Sequence, residues 1–289
     1  MPGDPRADLR SAVAGVRAFV LDADGVLMYR GAPLPGTVEA MTTLKKLAIP
    51  YRVVTNFSLT HRTTLAAQFS KATGLPAEPE LIITAASAAA DYTRRHHPGG
   101  RLLVLSSPDA LREWDGQQLV SPADADGGVA PVDAVVIGDA GDALSFANLD
   151  IAFRQLRAGA AFIAMHRNPW WVTPKGPTLD SGALVIGLEA ALGRKAVVCG
   201  KPSPVVFREA VAELRADVLA AGGPALRTAD VAMVGDDPRA DVAAAKRVGL
   251  RGLLVLSGKV DAAAAADSGV RPDGVAASLA EIVAALPSQ

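Results

Sequence analysis

The feature that most constrains the fold is a regular alternation of short apolar runs with longer stretches of helical period. The apolar runs are rich in β-branched residues, and the stretches between them are rich in Ala, Leu and Arg. This alternation is typical of β-α-β units, and therefore of a parallel sheet with helices packed on it. The predicted strands are Arg17–Leu21, Tyr51–Thr55, Leu81–Ile83, Leu102–Leu105, Ala134–Ile137, Ala161–Met165, Ala196–Val198, Val231–Val234 and Gly252–Leu256.

Helices are predicted between these strands, and Gly74 and Gly249 stand where C-caps belong because glycine accepts a left-handed backbone. The predicted helices are Gly36–Leu47, Thr60–Ala72, Ala85–Arg95, Ser145–Ala158, Gly182–Leu192, Pro204–Leu214, Pro238–Val248 and Leu279–Leu286.

The number of strands indicates two domains. Nine strands are too many for one simple doubly wound sheet in a chain of 289 residues. The passage Ser121–Val132 has little periodicity and is predicted as a loop or hairpin, and a second polar, proline-rich passage runs from Asn168 to Ser181. A core split between the two ends of the chain, with a domain inserted in the middle, fits this pattern best.

Composition excludes several classes of protein. The formal charge is -1 and half the residues are hydrophobic, so the chain is globular and carries no basic surplus for nucleic acid or an anionic membrane. The single cysteine, Cys199, cannot form an internal disulfide, which favours a reducing compartment. The first residues contain no apolar signal region, and no apolar stretch is long enough to cross a bilayer. We therefore expect a soluble, cytoplasmic protein.

Two carboxylates follow the first predicted strand. Asp22 and Asp24 are two residues apart, so in extended chain they point to the same side, and Gly25 follows them. Ligands of open parallel sheets gather beyond the carboxyl ends of the strands, and a divalent cation relieves the repulsion between two such acids. An Asx-rich turn that closes the strand explains the pair equally well on its own.

The second and third polar clusters also follow strands. Thr55, Asn56 and Ser58 combine hydroxyl, amide and backbone N–H groups at a helix start, where an anion can bind, although an ordinary N-cap has the same composition. Lys201 follows a strand between a glycine and a proline, and offers a positive charge on a restrained backbone. Most lysines are solvated surface groups, so this residue alone indicates little.

The fourth cluster places Asp236, Asp237 and Asp241 around a helix start after a predicted strand. Aspartates near a helix N-terminus are common for reasons of capping and dipole. The four clusters together, however, supply a nucleophile, a second acid, an anion cradle, a cation and a metal ligand at the ends of predicted strands.

The four polar clusters resemble the sequence motifs of a known protein family. DxDGVL from Asp22, TNxS from Thr55, GKPSP from Gly200 and GDDxxxD from Gly235 resemble the four motifs of the haloacid dehalogenase (HAD) superfamily. The GKPSP wording and the wide gap before it are similar to the nitrophenylphosphatase or NagD-like subfamily (class IIA). The passage from His166 to Gly182 resembles the subgroup that contains phospholysine/phosphohistidine pyrophosphate phosphatase.

The resemblance implies an α/β fold in two parts. Residues 1–83 and 183–289 would form a Rossmann-like core domain, whose parallel sheet is flanked by helices, and residues 84–182 a large inserted α/β cap domain. It also implies a phosphatase that requires Mg²⁺ and acts on small phosphomonoesters. Asp22 would attack phosphorus and form an aspartyl-phosphate, and Asp24 would act as acid and then base. An ordinary carboxyl pKa near 4 would keep Asp22 ionised.

The same resemblance assigns the remaining roles. Asp22, Asp24 (through its backbone carbonyl) and Asp236 would bind Mg²⁺. Thr55, Asn56 and the catalytic Lys201 would bind the phosphoryl oxygens.

Other residues keep two interpretations. Asp241 would orient Lys201 or a metal-bound water without binding the metal itself. Asp237 would either substitute as a metal ligand or cap the helix. His166 is a candidate substrate contact, although a hydrogen-bonded structural role is the commoner one for such a histidine. Trp170 and Trp171 either line a pocket or pack the cap's own core.

Two alternatives to a hydrolase are compatible with the sequence. The phosphoryl group could pass to a small metabolite instead of water, which makes a phosphotransferase. A degenerate HAD domain could serve as a non-enzymatic binding or regulatory module, although Asp22, Asp24, Lys201 and Asp236 are all present. The expected partner is a small phosphorylated metabolite, with neither nucleic acid nor membrane, and a homodimer through the cap is a further expectation.

Overall fold

The computed structural model describes residues 5–128, 130–173, 176–258 and 260–287. Its helices and strands follow the chain in the order α1 (Pro5–Val13), β1 (Ala18–Asp22), β2 (Met28–Tyr29), β3 (Ala32–Pro33), α2 (Thr37–Lys46), β4 (Tyr51–Thr55), α3 (Arg62–Thr73), β5 (Ile82–Thr84), α4 (Ala85–His96), β6 (Arg101–Leu105), β7 (Gln118–Leu119), α5 (Pro122–Gly127), β8 (Ala134–Ile137), α6 (Phe146–Arg157), β9 (Ala161–Ala164), β10 (Trp170–Thr173), β11 (Gly176–Leu179), α7 (Ser181–Leu192), β12 (Val197–Val198), α8 (Pro204–Ala220), β13 (Val231–Gly235), α9 (Ala244–Arg247), β14 (Arg251–Val255), α10 (Ala262–Asp267), β15 (Gly274–Ala276) and α11 (Leu279–Ala284).

The chain divides into two compact units. The first unit consists of Met1–Thr55, Ala66–Ile83 and Lys201–Gln289, and the second of Asn56–Leu65 and Thr84–Gly200. The expected return to the core at residue 183 therefore differs from the division found here, in which residues 183–200 belong to the second unit. The physical reason is that β12 forms its hydrogen bonds with β9 of that unit.

The first unit contains a sheet with the strand order β15-β14-β13-β1-β4-β5. The pairs of β1 with β13 and with β4, and of β14 with β13 and with β15, are parallel. Strand β1 is buried along its whole length, which explains its continuous apolar sequence, because a parallel sheet with both faces covered has no solvated side. This confirms the predicted α/β core with a parallel sheet.

The second unit contains its own parallel sheet, with the order β12-β9-β8-β6-β7. Its core includes Val135, Ile137 and Phe162, and the helix α6 packs on the same cluster through Ile151 and Leu156. The predicted strand Ala196–Val198 exists as β12, but it lies in this sheet and not in the core sheet to which its place before Lys201 assigned it. Two residues are too short a strand to reveal its partner.

Several segments contain structural detail that the sequence did not predict. The passage Ser121–Val132 contains the short helix α5, whose N-cap Ser121 accepts a hydrogen bond from the backbone N–H of Asp124. The passage Asn168–Ser181 contains the antiparallel hairpin of β10 and β11. The predicted helix Pro238–Val248 begins with a π-helical turn, Pro238–Ala243, before α9. The C-cap predictions are confirmed, since Gly74 and Gly249 have φ of 73° and 92°.

Within the described ranges, every helix is too short or too polar to span a lipid bilayer.

Candidate active site

The site of the first unit is built at the carboxyl edge of its sheet. Asp22 is the last residue of β1 and Thr55 the last of β4, and the register pairs Asp22 with Val54. On the other side of β1, Leu21 pairs with Val234 of β13, and Asp236 follows β13 directly. Parallel strands that end together thus deliver three side chains from distant parts of the chain to one edge.

Lys201 joins two carboxylates at this edge. Its Nζ lies 2.6 Å from Oδ1 of Asp22 and 2.8 Å from Oδ1 of Asp241. The backbone N–H of Ala23 also donates to Oδ1 of Asp22, at 2.7 Å. Lys201 is 4% exposed, Asp22 5% and Asp241 0%, so the pairs form away from bulk water, where charge interactions are strong.

Asp236 is held in a slot between two glycines. A Cβ added at either Gly25 or Gly258 would lie 2.0 Å from its Oδ2, so the carboxylate occupies space that only glycine leaves open. The Ser257 hydroxyl donates to the carbonyl of Gly25 at 2.7 Å and ties the two walls of the slot together. Ser257 and Gly258 are not among the residues predicted for the site. They directly follow a predicted strand, which is the signal that identified the other four clusters.

The two acids after Asp236 have different surroundings. Oδ2 of Asp241 accepts from the backbone N–H of Asp237 at 3.1 Å, while Oδ1 faces Lys201. Asp237 caps the following helical turn, since its Oδ1 accepts from the backbone N–H groups of Arg239 and Ala240, both at 2.9 Å. The structure therefore places Asp241 beside Lys201, and Asp237 at the helix start.

Burial and neighbouring charges shift the pKa values of Asp22 and Lys201. Burial raises the pKa of Asp22 well above its usual range, Lys201 opposes that rise, and the Asp241 and Asp236 carboxylates add to it. For Lys201, burial favours the neutral amine, but Asp22 and Asp241 outweigh burial and raise its pKa. The direction of the Asp22 shift thus differs from the ordinary carboxyl pKa expected from the sequence.

The cluster contains oxygens suited to a divalent ion. Asp22, Asp236 and Asp241 each offer an oxygen, and these oxygens lie within 4.8 Å of one another. Three buried carboxylates opposite one ammonium leave a surplus of two negative charges when all are ionised. Hard oxygen donors with surplus negative charge are what Mg²⁺ prefers.

Asp24 and Thr55 complete the predicted set within the first unit. Asp24 is exposed, and its backbone forms a bridge with Met28 at the start of the β2–β3 hairpin. Thr55 is 3% exposed at the end of β4.

Two predicted site residues belong to the second unit. The Oδ1 of Asn56 lies close to Gly200, where an added Cβ would come within 2.6 Å of it. His166 is 2% exposed, and its Nε2 lies 3.1 Å from Oδ2 of Asp139 and 3.7 Å from Oδ1 of Asp180.

The charges around His166 are coupled. Burial favours the neutral imidazole, but the Asp139 and Asp180 carboxylates outweigh it and raise the pKa of His166. Burial raises the pKa of Asp180 to about 6, and a hydrogen bond with Asp139 adds to the rise. Burial acts on Asp139 in the same direction, but its hydrogen bonds with His166 and Asp180 outweigh it, and the net effect lowers the Asp139 pKa.

The tandem tryptophans lie on the surface. Trp170 is 59% exposed and Trp171 42% exposed in strand β10. The indole buried in the second unit is Trp114, at 1% exposure. Of the two predicted roles for the tandem pair, packing a core is therefore not supported by their burial.

Comparison with known proteins agrees with this geometry. The family model described as haloacid dehalogenase-like hydrolase matches residues 19–119, and a second HAD-hydrolase-like model matches residues 198–282. The phospholysine phosphohistidine inorganic pyrophosphate phosphatase of Homo sapiens is 31% identical over 277 residues, which cover 94% of each chain.

Solved structures show the same likeness. The p-nitrophenyl phosphatase from Archaeoglobus fulgidus superposes with a TM-score of 0.82 at 28% identity, over 93% of this chain and 99% of that one. NagD from E. coli K-12 superposes with a TM-score of 0.78 at 26% identity, over 92% and 98%. The predicted family and the prediction that the chain is a hydrolase are thereby confirmed. The chain belongs to the haloacid dehalogenase-like hydrolase family, in its nitrophenylphosphatase and NagD-like group.

Proposed function

We propose that this hydrolase is an Mg²⁺-dependent phosphatase that cleaves small phosphomonoesters through an aspartyl-phosphate on Asp22. The observation that carries the proposal is the buried cluster in which Lys201 joins Asp22 to Asp241, with Asp236 close by. Nucleophile, cation and metal-binding acids are the parts that phosphoryl transfer requires, because this reaction depends mainly on positioning and on stabilising charge.

The cluster supports a resident cation. Asp22 and Asp236 would hold Mg²⁺, together with the backbone carbonyl of Asp24, and the glycine-walled slot fixes Asp236 for that task. Bound there, Mg²⁺ would shield the negative charge shared by the attacking carboxylate and the phosphoryl oxygens. Asp241 would stay outside the ligand shell, because its Oδ1 faces Lys201 and its Oδ2 accepts from the Asp237 N–H.

Asp22 would act as the nucleophile. The Lys201 ammonium and the Ala23 N–H both bind its Oδ1, which fixes the orientation of the carboxylate relative to the end of β1. Attack of a carboxylate oxygen on phosphorus breaks the ester bond and releases the alcohol. Water then attacks the aspartyl-phosphate and regenerates Asp22 with release of phosphate.

Asp24 would move the protons of both steps. Its side chain is exposed, unlike that of Asp22, so it can exchange protons with solvent. It would protonate the leaving alcohol in the first step and deprotonate the attacking water in the second.

Lys201 and Thr55 would bind the phosphoryl oxygens. Both residues are nearly buried at the same sheet edge as Asp22, and Asn56 directly follows Thr55 in the chain. Removing one such donor costs roughly 10²–10³ in kcat where it acts as an oxyanion donor does.

The substrate class is supported by the names of similar proteins. A relative named for phospholysine, phosphohistidine and inorganic pyrophosphate, and a structure named for p-nitrophenyl phosphate, both point to small phosphorylated molecules. p-Nitrophenyl phosphate is therefore the first assay substrate.

The test compares Asp22→Asn with Asp273→Asn. Asp273 is a carboxylate of the same unit that pairs with Lys246 at 2.7 Å near the surface. We expect Asp22→Asn to abolish release of nitrophenolate and Asp273→Asn to retain it, while EDTA stops the wild type and added Mg²⁺ restores it. Activity that survives Asp22→Asn would defeat the covalent mechanism, and a wild type inactive on a broad phosphoester panel would favour the binding-module alternative. Release of less phosphate than nitrophenolate, in the presence of an acceptor alcohol, would indicate phosphotransfer.

A further inference from the structure

A second polar cluster lies inside the second unit. We call it the Ser58 cluster; its members are Ser58, Asp139, His166, Asp180 and Ser181. Ser58, His166, Asp180 and Ser181 are between 1% and 8% exposed, and Asp139 is the most accessible member, with 22% of its side chain exposed. Burying so many polar groups is costly unless they hydrogen-bond to one another, so the cluster holds a defined geometry.

The hydrogen bonds of the cluster converge on one nitrogen. Nε2 of His166 lies 3.1 Å from Asp139 Oδ2 and 3.2 Å from Ser58 Oγ, and the Ser58 hydroxyl also donates to the same Asp139 oxygen. A nucleophilic triad places serine and aspartate on opposite nitrogens of the imidazole. Here both lie at Nε2, so Ser58 is not an activated nucleophile.

The contact made by Nδ1 of His166 determines where the ring proton lies. The backbone N–H of Asn168 points to Nδ1 of His166 at 3.4 Å, so a neutral imidazole accepts there and carries its proton on Nε2. The imidazolium form also carries a proton on Nε2. In both forms His166 donates to Asp139, and the Asp139 carboxylate is oriented to accept from Ser58.

The cluster is attached to two segments that lead into the active site. Ser58 lies three residues beyond Thr55 in the chain. Met165, the neighbour of His166, accepts a hydrogen bond at 2.7 Å from the backbone N–H of Gly200, which directly precedes Lys201. Within the second unit, the cluster therefore includes the residue three positions after Thr55, and the residue next to Met165, whose carbonyl binds the N–H that precedes Lys201.

We infer that His166 is a positioning residue of this hydrolase, which holds Ser58 through Asp139 and thereby fixes the segments that carry Thr55 and Lys201. The inference deepens the proposed function and rests on it for its kinetic consequence. It gives the buried imidazole a role through the protein chain instead of a direct contact with substrate. A displacement of about 1 Å at a reacting group can reduce the rate by roughly 10²-fold. Small displacements of these two segments are therefore expected to lower kcat measurably.

The kinetic test uses two amides that differ in reach. The amide nitrogen of His166→Gln can occupy the position of Nε2 and donate to Asp139, whereas that of His166→Asn is one methylene too short. With p-nitrophenyl phosphate and Mg²⁺, we expect His166→Gln to stay within about threefold of wild type, and His166→Asn to lose roughly 10- to 100-fold in kcat. A purely structural role does not predict this rescue. Equal losses in the two variants at equal Tm would overturn the inference.

A double variant tests whether His166 acts through Ser58. If it does, the kcat of the double variant Ser58→Ala/His166→Asn should lie within about threefold of the kcat of Ser58→Ala alone. The reason is that the effects of substituting residues that act as a unit do not multiply. Multiplied losses would contradict the inference. The matched control is Glu189→Gln, which disturbs a different buried network of the second unit, with Arg167 at 2.7 Å and Lys195 at 2.9 Å. That control should lower Tm and leave kcat near wild type.

A measurement without catalysis separates this inference from the proposed function. Hydrogen exchange should be at least about tenfold faster in His166→Asn at the amides of Gly200 and Ala85, which donate to Met165 and Phe57, and unchanged in Glu189→Gln. Unchanged protection at both amides would overturn the inference even in an active enzyme. Faster exchange in a protein without phosphatase activity would support the positioning role while the proposed function fails.

Discussion

Replacing Gly258 by alanine isolates the steric slot that holds Asp236. Gly25, the other wall, has φ of 80°, so alanine there would add backbone strain to any clash. Gly258 carries no such positive φ, and its substitution tests contact alone. We expect Gly258→Ala to fold and to lose most of its Mg²⁺-dependent activity.

The magnitude follows from the distances. The new Cβ would lie 2.0 Å from Oδ2 and 2.6 Å from the Cβ and Cγ of Asp236, and real Cβ atoms essentially never approach closer than 3.0 Å. The Asp236 side chain must therefore move by about 1 Å to restore that separation. A shift of that size is expected to reduce kcat/KM by roughly 10²-fold, which corresponds to about 2.7 kcal/mol of transition-state stabilisation.

The assay is hydrolysis of p-nitrophenyl phosphate over a titration of Mg²⁺. We expect a lower kcat and a higher Mg²⁺ concentration for half-activation. The control is Gly187→Ala in α7, where an added Cβ meets nothing within 4 Å; it should keep wild-type kinetics and gain up to about 1 kcal/mol in stability from helix propensity. A Gly258→Ala enzyme with wild-type rate and Mg²⁺ dependence would refute the assigned slot.

Three further predictions concern charge. Lys201→Met leaves three buried carboxylates without their ammonium, and should destabilise the metal-free protein by about 3–5 kcal/mol in chemical denaturation, with partial recovery on adding Mg²⁺. Asp236→Asn should shift the Mg²⁺ activation curve at least about tenfold, or about 1.4 kcal/mol, to higher concentration, and an unshifted curve would remove it from the ligand set. Burial, and then the hydrogen bond with Asp139, raise the pKa of Asp180 to about 6 from 3.8, so its folded form binds a proton more tightly than its unfolded form. That stability is present at low pH and is lost as pH rises from about 4 through 6, so Asp180→Asn should reduce the fall of Tm across this window relative to wild type; an identical pH profile would contradict the assignment.

The positions of the site residues in the first unit could be predicted because each depends on the short stretch of sequence around it. Each of Asp22, Thr55 and Asp236 ends or follows a short apolar strand. The carboxyl ends of parallel strands lie at the same edge of the sheet, so these residues are brought there by the strand pairing itself. The register of β1 with β4 and β13 then sets their spacing. Lys201 was identified by motif alone, since the strand before it belongs to another sheet.

The parts that escaped prediction depend on contacts between distant residues. β12 pairs with β9 through only two residues, and nothing in those two valines specifies the partner. The glycine slot depends on where Asp236 comes to lie against Gly258, which no spacing reveals. Likewise, the burial of His166 depends on Asp139 and Ser58, which are far from it in sequence.

The division of the chain into units bears directly on catalysis. Two of its boundaries fall inside the motifs, one between Thr55 and Asn56 and the other between Gly200 and Lys201. A residue proposed to bind phosphate therefore stands at each of these boundaries, one peptide bond from the neighbouring unit. Because the distance between neighbouring Cα atoms is fixed, a displacement of Asn56 or Gly200 has to be accommodated by Thr55 or Lys201, through their φ and ψ angles. The proposed positioning role of the Ser58 cluster thus needs no contact with a phosphate oxygen, since Ser58 lies three residues from one boundary and Met165, the neighbour of His166, accepts a hydrogen bond from Gly200 at the other.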